Sequence, residues 1–201
     1  MSMFSRVAIA AVTMVGVASA QPSKAPAPAP APKAAQAPAP ADKGAAMPKL
    51  TPPPELDAVA KASVGTWKCK GEEWDHTGAK APMTATSKVK LDLDNWWVSE
   101  SMEAKGRMTF KMTSFSTYDA TSRKWRRVAV TNGGGQMIGT SDGMKDGKMT
   151  WNMDMIGPMG SAQFRDTTDA TDPKAGVKFR GEASMDKGKT WMPVYEMVCK
   201  K

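Results

Sequence analysis

Residues 55–201 predict an all-β fold: a closed antiparallel up-and-down β-barrel of about ten strands with a short N-terminal helix. Three observations carry it. First, the chain alternates apolar and polar side chains over short segments. In "GKMTWNMDMIG", Met149, Trp151, Met153 and Met155 fall on one side of an extended chain, with Lys148, Thr150, Asn152 and Asp154 on the other. One apolar and one polar face per strand is the pattern of an antiparallel sheet wrapped around a core. Second, about ten such strands in one flat sheet would leave exposed edges that invite aggregation, and closure removes them. Third, Cys69 stands near the start of the first strand and Cys199 near the end of the last. With an even strand count, a closed barrel makes those strands antiparallel neighbours and brings these two positions together.

The elements follow in order. "TPPPELDAVAKAS" supports one helix, Glu55 to Ser63, with prolines before it and Leu56, Val59 and Ala60 on one face. Alternation then predicts strands at 66–74, 83–92, 95–104, 107–117, 124–131, 136–142, 147–155, 161–167, 177–185 and 194–200. Gly- or Asp-containing segments such as "DHTGAKAP", "DATSRK", "NGGG" and "DKGK" supply the turns. "VKFRGEASMD" alternates as cleanly as the 147–157 stretch, with Val177, Phe179, Gly181, Ala183 and Met185 on one face. Pro193 interrupts the last strand pattern, so that strand starts after it or carries a bulge.

Upstream lie two segments of different character. Residues 1–20, "MSMFSRVAIAAVTMVGVASA", place Arg6 before an apolar run and end in Ala18-Ser19-Ala20. This is a secretory signal with expected cleavage after Ala20. The alternative, an uncleaved anchor, is disfavoured because the run falls short of the ~20 residues that span a bilayer. No cysteine follows the cleavage position, which argues against a lipid anchor. Residues 21–54 hold eleven of the fifteen prolines and almost no large apolar side chain. Such a stretch buries too little surface to offset its ordering entropy and reads as a disordered Pro/Ala-rich linker, either a spacer or a dispensable leader. Exported, soluble and periplasmic or secreted is the expected location, with no transmembrane segment in the mature chain. An envelope partner could be reached through the linker.

Dividing the net charge of +8 changes its meaning. Residues 55–201 carry 23 basic and 19 acidic side chains, and the rest of the charge belongs to the signal and linker. A domain at +4 with interspersed signs gives little reason to expect nucleic acid. In an exported protein two cysteines placed as these are most simply form one disulfide, Cys69–Cys199, closing a loop of about 130 residues; two separate buried thiols are the alternative. There is no CxxC motif to suggest redox chemistry.

"VGTWKCKGE" opens the first strand with Gly65-Thr66-Trp67, which resembles the G-x-W motif of calycins, the lipocalin-like barrels. In that group the tryptophan follows a short helix and packs across the barrel floor. "FSTYDATSRKWRRVAV", "GGGQMIGTSDGMKDGKMTWNMDM" and the segment from Phe164 to Lys201 resemble a bacterial calycin-like family labelled as a domain of unknown function, number fifteen-seventy-nine. The likeness covers nearly all of residues 60–201. The paired Trp96-Trp97 and the methionine content depart from it. The resemblance implies a barrel able to hold a small apolar ligand.

Thirteen of the seventeen methionines lie in the domain. The expected inner faces carry Met102, then Met108 with Phe110 and Met112, then Met149, Met153 and Met155 beside Trp151, then Met185; Trp67 and Phe179 join them as lining residues. Plain packing is the leading reading of any one methionine, because thioether side chains fill irregular gaps. A ligand-lined cavity is the second, and a Cu(I) site built on thioethers the third. Two charges share these faces: Glu100 with Val98 and Met102, and Arg127 with Trp125 and Ala129. Charges inside a barrel must be paired and mark functional sites, unless a one-residue register slip turns them outward. Trp125 and Trp151 read as core.

No catalytic constellation is visible. His76, the single histidine, lies in the turn "WDHTGAK", the wrong place for a haem or metal ligand inside a barrel. Glu72 and Glu73 are adjacent and so face opposite sides of a strand. Asp92 and Asp94 flank a turn, and "TNGGGQ" lacks the strand–loop–helix context of a phosphate cradle. The expected role is binding of a small apolar or amphipathic molecule, without catalysis, cofactor, metal or nucleic acid. A structural or interaction protein of the cell envelope with a filled core is the alternative.

Overall fold

The computed structural model describes residues 50–172 and 174–201. The expected signal, its cleavage position and residues 21–49 of the linker lie outside the described residues. Helix α1 (Pro54–Ser63) leads into β1 (Gly65–Trp74), β2 (Lys80–Asp92), β3 (Trp97–Lys105), β4 (Thr109–Asp119) and β5 (Lys124–Thr131). β6 (Gln136–Ser141), β7 (Lys148–Gly157), β8 (Gly160–Asp169), β9 (Val177–Ser184) and β10 (Met192–Lys200) follow. Every strand pairs antiparallel with its sequence neighbour, and β10 pairs with β1, so the sheet closes into a ten-stranded up-and-down barrel. At the closing seam Cys69 stands directly opposite Cys199, and the two form the disulfide.

Side-chain oxygens shape many of the turns. Asp75 Oδ1 accepts from the backbone N–H and hydroxyl of Thr77, and Asp169 Oδ1 does the same with Thr171. Asp119 accepts from Thr121 N and from the N–H and hydroxyl of Ser122. These Asx turns hold the backbone without help from tertiary packing. The β1–β2 and β3–β4 turns, both at one rim, are tied together by Glu73, which accepts from Arg107 N at 2.5 Å while the Arg107 guanidinium donates to Ala79 O at 3.0 Å.

Two expected inner-face residues are displaced. Met108 lies in the β3–β4 turn, 81% exposed, because Gly106 N donates to Met108 O and ends the alternation before β4 begins. Met185 follows the end of β9 and is 65% exposed, because Ser184 and Asp186 turn their side chains to the β9–β10 loop. The last strand starts at Met192 and shifts register between Pro193 and Tyr195, which is the expected bulge.

α1 lies across one end of the barrel and buries Leu56 and Ala60. Pro54 occupies the first turn, where its missing N–H leaves nothing unsatisfied, and Glu55 and Asp57 face the positive end of the helix dipole. Leu56 packs in a cluster with Val98, Trp125, Ala129, Met137, Met149, Trp151 and Met153. Removing a leucine of this kind from water stabilises the fold by about 1.5–3 kcal/mol. Trp67 fastens the helix from the other side: its indole N–H donates to Ser63 O at 2.7 Å, and Lys201 Nζ sits 4.9 Å above its ring. A second cluster surrounds the disulfide and contains Met83, Ala85, Ala104 and Met197.

Candidate functional site

The alternation that builds the walls also carries charged groups into the lumen. Glu100 of β3 and Arg127 of β5 point inward with their apolar neighbours. Asp166 joins them from β8, where Ala162, Phe164, Asp166 and Thr168 occupy alternate positions; Tyr195 joins from β10, alternating with Met197 and Cys199. Cross-strand register places Trp151 opposite Asp166, Asp166 opposite Gly181, and Gly181 opposite Tyr195. Gly181 is required there, because a Cβ at that position would run into the Tyr195 ring.

Hydrogen bonds hold the group. Glu100 accepts from Ser87 Oγ at 2.6 Å and from Ser114 Oγ at 3.5 Å. Arg127 Nε donates to Ser116 Oγ at 3.1 Å, and its Nη1 reaches Asp166 Oδ2 at 3.5 Å. The guanidinium also lies 4.1 Å from the centroid of Trp151, a cation–π contact in a desolvated setting. The Arg127 and Asp166 side chains are only 16% and 14% exposed.

Arg127 pairs with Asp166, while Glu100 is held by serine hydroxyls and has no ion pair among the described residues, so compensation is incomplete. Asp166 Oδ1 is sealed from solvent and has no hydrogen-bond partner among the described residues. Burial pushes the Asp166 carboxyl above the usual carboxylate range; Arg127 opposes that shift, Glu100 adds to it, and the nearby Tyr195 hydroxyl opposes it. That hydroxyl favours the charged form without completing a well-formed bond to Oδ1. The Tyr195 phenol is itself pushed well above its ordinary value, first by burial and then by Asp166. A buried acceptor left unpaired costs free energy, about 1–3 kcal/mol, until something donates to it.

The expected lining residues divide by depth. Met149, Trp151 and Met153 are fully buried and serve as packing, which answers most of the methionine question. Trp67, Met102, Met112, Met155 and Phe179 face inward yet stay half-buried, as does Phe164. Phe110 lies at the rim and is 39% exposed. Two concavities, about 410 and 400 Å^3, lie outside the lumen. One is formed by the β5–β6 and β7–β8 turns around Gly134 and Pro158, and the other lies along the outer side of β2–β4.

His76 is exposed in the β1–β2 turn, Glu72 pairs with Lys80, Asp92 pairs with Lys90, and residues 131–136 form the β5–β6 hairpin turn. Among the described residues no three His, Cys, Asp or Glu side chains are grouped to hold a metal ion. Asp166 and Tyr195 were not anticipated, although alternation carried forward from Phe164 and back from Cys199 places both on the inner face.

No protein-family model matches the chain, and no curated protein matches it either. Among solved structures, Rv2717c from M. tuberculosis is similar at a TM-score of 0.57 and 10% identity, over 75% of this chain and 99% of that one. The S-type phycobiliprotein lyase CPES from Guillardia theta aligns at a TM-score of 0.48 and 12% identity, over 73% of this chain and 93% of that one. At such identities the likeness to Rv2717c concerns fold alone. The closed ten-stranded up-and-down barrel fits the architecture that the calycin motifs implied.

Proposed function

We propose that the protein binds a small apolar or amphipathic molecule inside its barrel and catalyses no reaction. The observation that carries this reading is the unpartnered, sealed Oδ1 of Asp166 within the Arg127–Asp166–Glu100 group. Half-buried Met102, Met112, Met155, Phe164 and Phe179 would hold the apolar body of the guest, and a donor on its polar end would complete Asp166. The chain is proposed to be exported, with cleavage after Ala20, and to use its Pro/Ala-rich linker as a spacer towards an envelope partner. The Cys69–Cys199 disulfide supports an oxidising compartment, and among the described residues no helix is long and apolar enough to cross a membrane. Membership of the domain family fifteen-seventy-nine is proposed on the motifs quoted above; nucleic acid and metal are not proposed as partners.

A second reading is an envelope interaction protein with a filled core. It is favoured by the position of the two large concavities, both outside the lumen. Native mass spectrometry of the protein purified gently from its own cells, followed by denaturing release, separates the two. An organic mass in near one-to-one ratio, lost in Arg127→Met and Asp166→Asn, is expected. Bare protein, still bare after incubation with lipids, haem and Cu(I), would overturn ligand binding and leave the interaction role.

A further inference from the structure

The outer wall formed by β9, β10, β1 and β2 carries an unusual pattern of charge. β1 turns Thr66, Lys68 and Lys70 outward, and β2 turns Thr84, Thr86 and Lys88 outward, all exposed. Register sets each of these lysines opposite a threonine: Thr66 faces Lys88, Lys68 faces Thr86, and Lys70 faces Thr84. On the other side Lys68 directly faces Lys200 of β10, and Val198 stands between Lys70 and Lys178 of β9. Among the described residues none of Lys68, Lys70, Lys88, Lys178 and Lys200 lies within ion-pair distance of a carboxylate, whereas Lys80, Lys90, Lys105 and Lys148 each do. Most acidic groups on or beside the wall are engaged: Glu72 by Lys80, Glu103 by Lys105 and Lys111, Glu182 by Arg165 and Arg180, and Asp169, which faces Lys178, by Lys148; Glu196 of β10 stands on the wall with no ion pair among the described residues.

These five lysines exceed the net charge of +4 carried by residues 55–201, so the positive charge of the domain is concentrated on this wall. Like charges placed directly across a strand pair are unfavourable. Lysines often guard a sheet edge against aggregation, but a closed barrel has no edge to guard. The wall spans roughly 14 Å across four strands, little more than a Debye length, so an anionic partner meets these charges together. It is the convex outer face of a closed barrel. Its flank at Lys88 and Lys90 opens into the trough of about 400 Å^3, where Ser101 and Thr113 hydroxyls surround Phe115. Lys88 and these hydroxyls around an aromatic floor suit a phosphate headgroup with its apolar attachment, while Lys90 is held by Asp92 at the trough's margin.

We propose that this wall docks the protein onto an anionic phospholipid bilayer, with lysine ammoniums and threonine hydroxyls engaging the headgroup phosphates. The test is cosedimentation of the full chain with vesicles of phosphatidylglycerol and phosphatidylcholine, against phosphatidylcholine alone. Binding is expected only to the anionic vesicles, and lost in high salt. K68Q/K70Q should weaken it about 25-fold, at roughly fivefold per lysine near such a surface. K145Q/K189Q removes the same charge from loops outside the wall and should stay within about twofold. The linker is identical in all three proteins, so its own lysines cancel. Thermal melting monitors folding, and K68Q/K70Q should not melt lower, since it relieves the Lys68–Lys200 opposition. Wild-type binding by K68Q/K70Q, or equal loss in both pairs, would overturn the proposal. So would tighter retention on an immobilised acidic polysaccharide that the same variant loses.

Discussion

The cross-link between Cys69 and Cys199 joins the ends of the folded domain, and opening it has a calculable consequence. The two cysteines are 130 residues apart, and in the native barrel they face each other across the β1–β10 seam. In the unfolded chain the bond removes the entropy of a free loop of that length, which the chain-entropy argument converts to about 5 kcal/mol at 25 °C. Typical stabilities are about 5–15 kcal/mol, so the reduced domain should be marginal. Both sulfurs lie in the cluster with Met83, Ala85, Ala104 and Met197, so Cys69→Ala/Cys199→Ala adds a small packing loss that reduction of the wild type does not. Guanidinium unfolding of the oxidised, reduced and double-alanine proteins measures the effect. Reduction should lower the melting temperature by roughly 10–20 °C for a domain of this size and raise the denaturant slope, because the open chain exposes more surface. A reduced protein within about 1 kcal/mol of the oxidised one would refute the entropic reasoning and place the closure energy in the β1–β10 ladder instead.

Other expectations follow from single residues. Gly181→Ala forces a Cβ against the Tyr195 ring and should cost about 1–3 kcal/mol in urea unfolding, as overpacking does, while shifting Tyr195 fluorescence or absorbance; a neutral substitution would show that the ring moves freely. Trp67→Phe removes the indole bond to Ser63 O and should cost about 1–2 kcal/mol, read as earlier loss of the helical signal in thermal melts. The carboxyls of Asp75, Asp119, Asp169 and Asp186 are held down to about 2, first by hydroxyl donors in their own turns. Their folded pKa lies below the unfolded one, so the stability they contribute is complete above roughly pH 4 and is lost as pH falls through about 2; a melting temperature flat across that range would contradict it. Asp166 has the opposite sign. Its folded pKa is raised, first by burial, so stability rises as pH falls through that raised value, and Asp166→Asn should abolish that rise.

Alternation with period two was legible throughout, because it is a property of backbone geometry that each strand writes locally. It located the helix and all ten strands to within a few residues, and it turned Glu100 and Arg127 inward. It failed where the chain leaves the sheet: Met108 and Met185 continue the apolar pattern by one step, but the hydrogen bonds of the turns at Gly106 and Ser184 end the strands first. The aspartate turns carry a D-x-T or D-x-x-S spacing that could have sharpened the ends of β1, β4 and β8.

Closure could be argued from strand count and from where two cysteines fall, since edges are costly and a disulfide needs its partners adjacent. What no linear pattern contains is which inward residues meet. Arg127 and Asp166 come from strands three positions apart in the barrel and touch only because the lumen is narrow. The unpaired Oδ1 of Asp166, the seat of Trp151 beneath Arg127 and the lysine–threonine pairing on the outer wall depend likewise on register and shear. The local sequence determined the strands and their two faces; tertiary structure decided which charges are neighbours, because electrostatic and packing energies depend on distances across the barrel rather than along the chain.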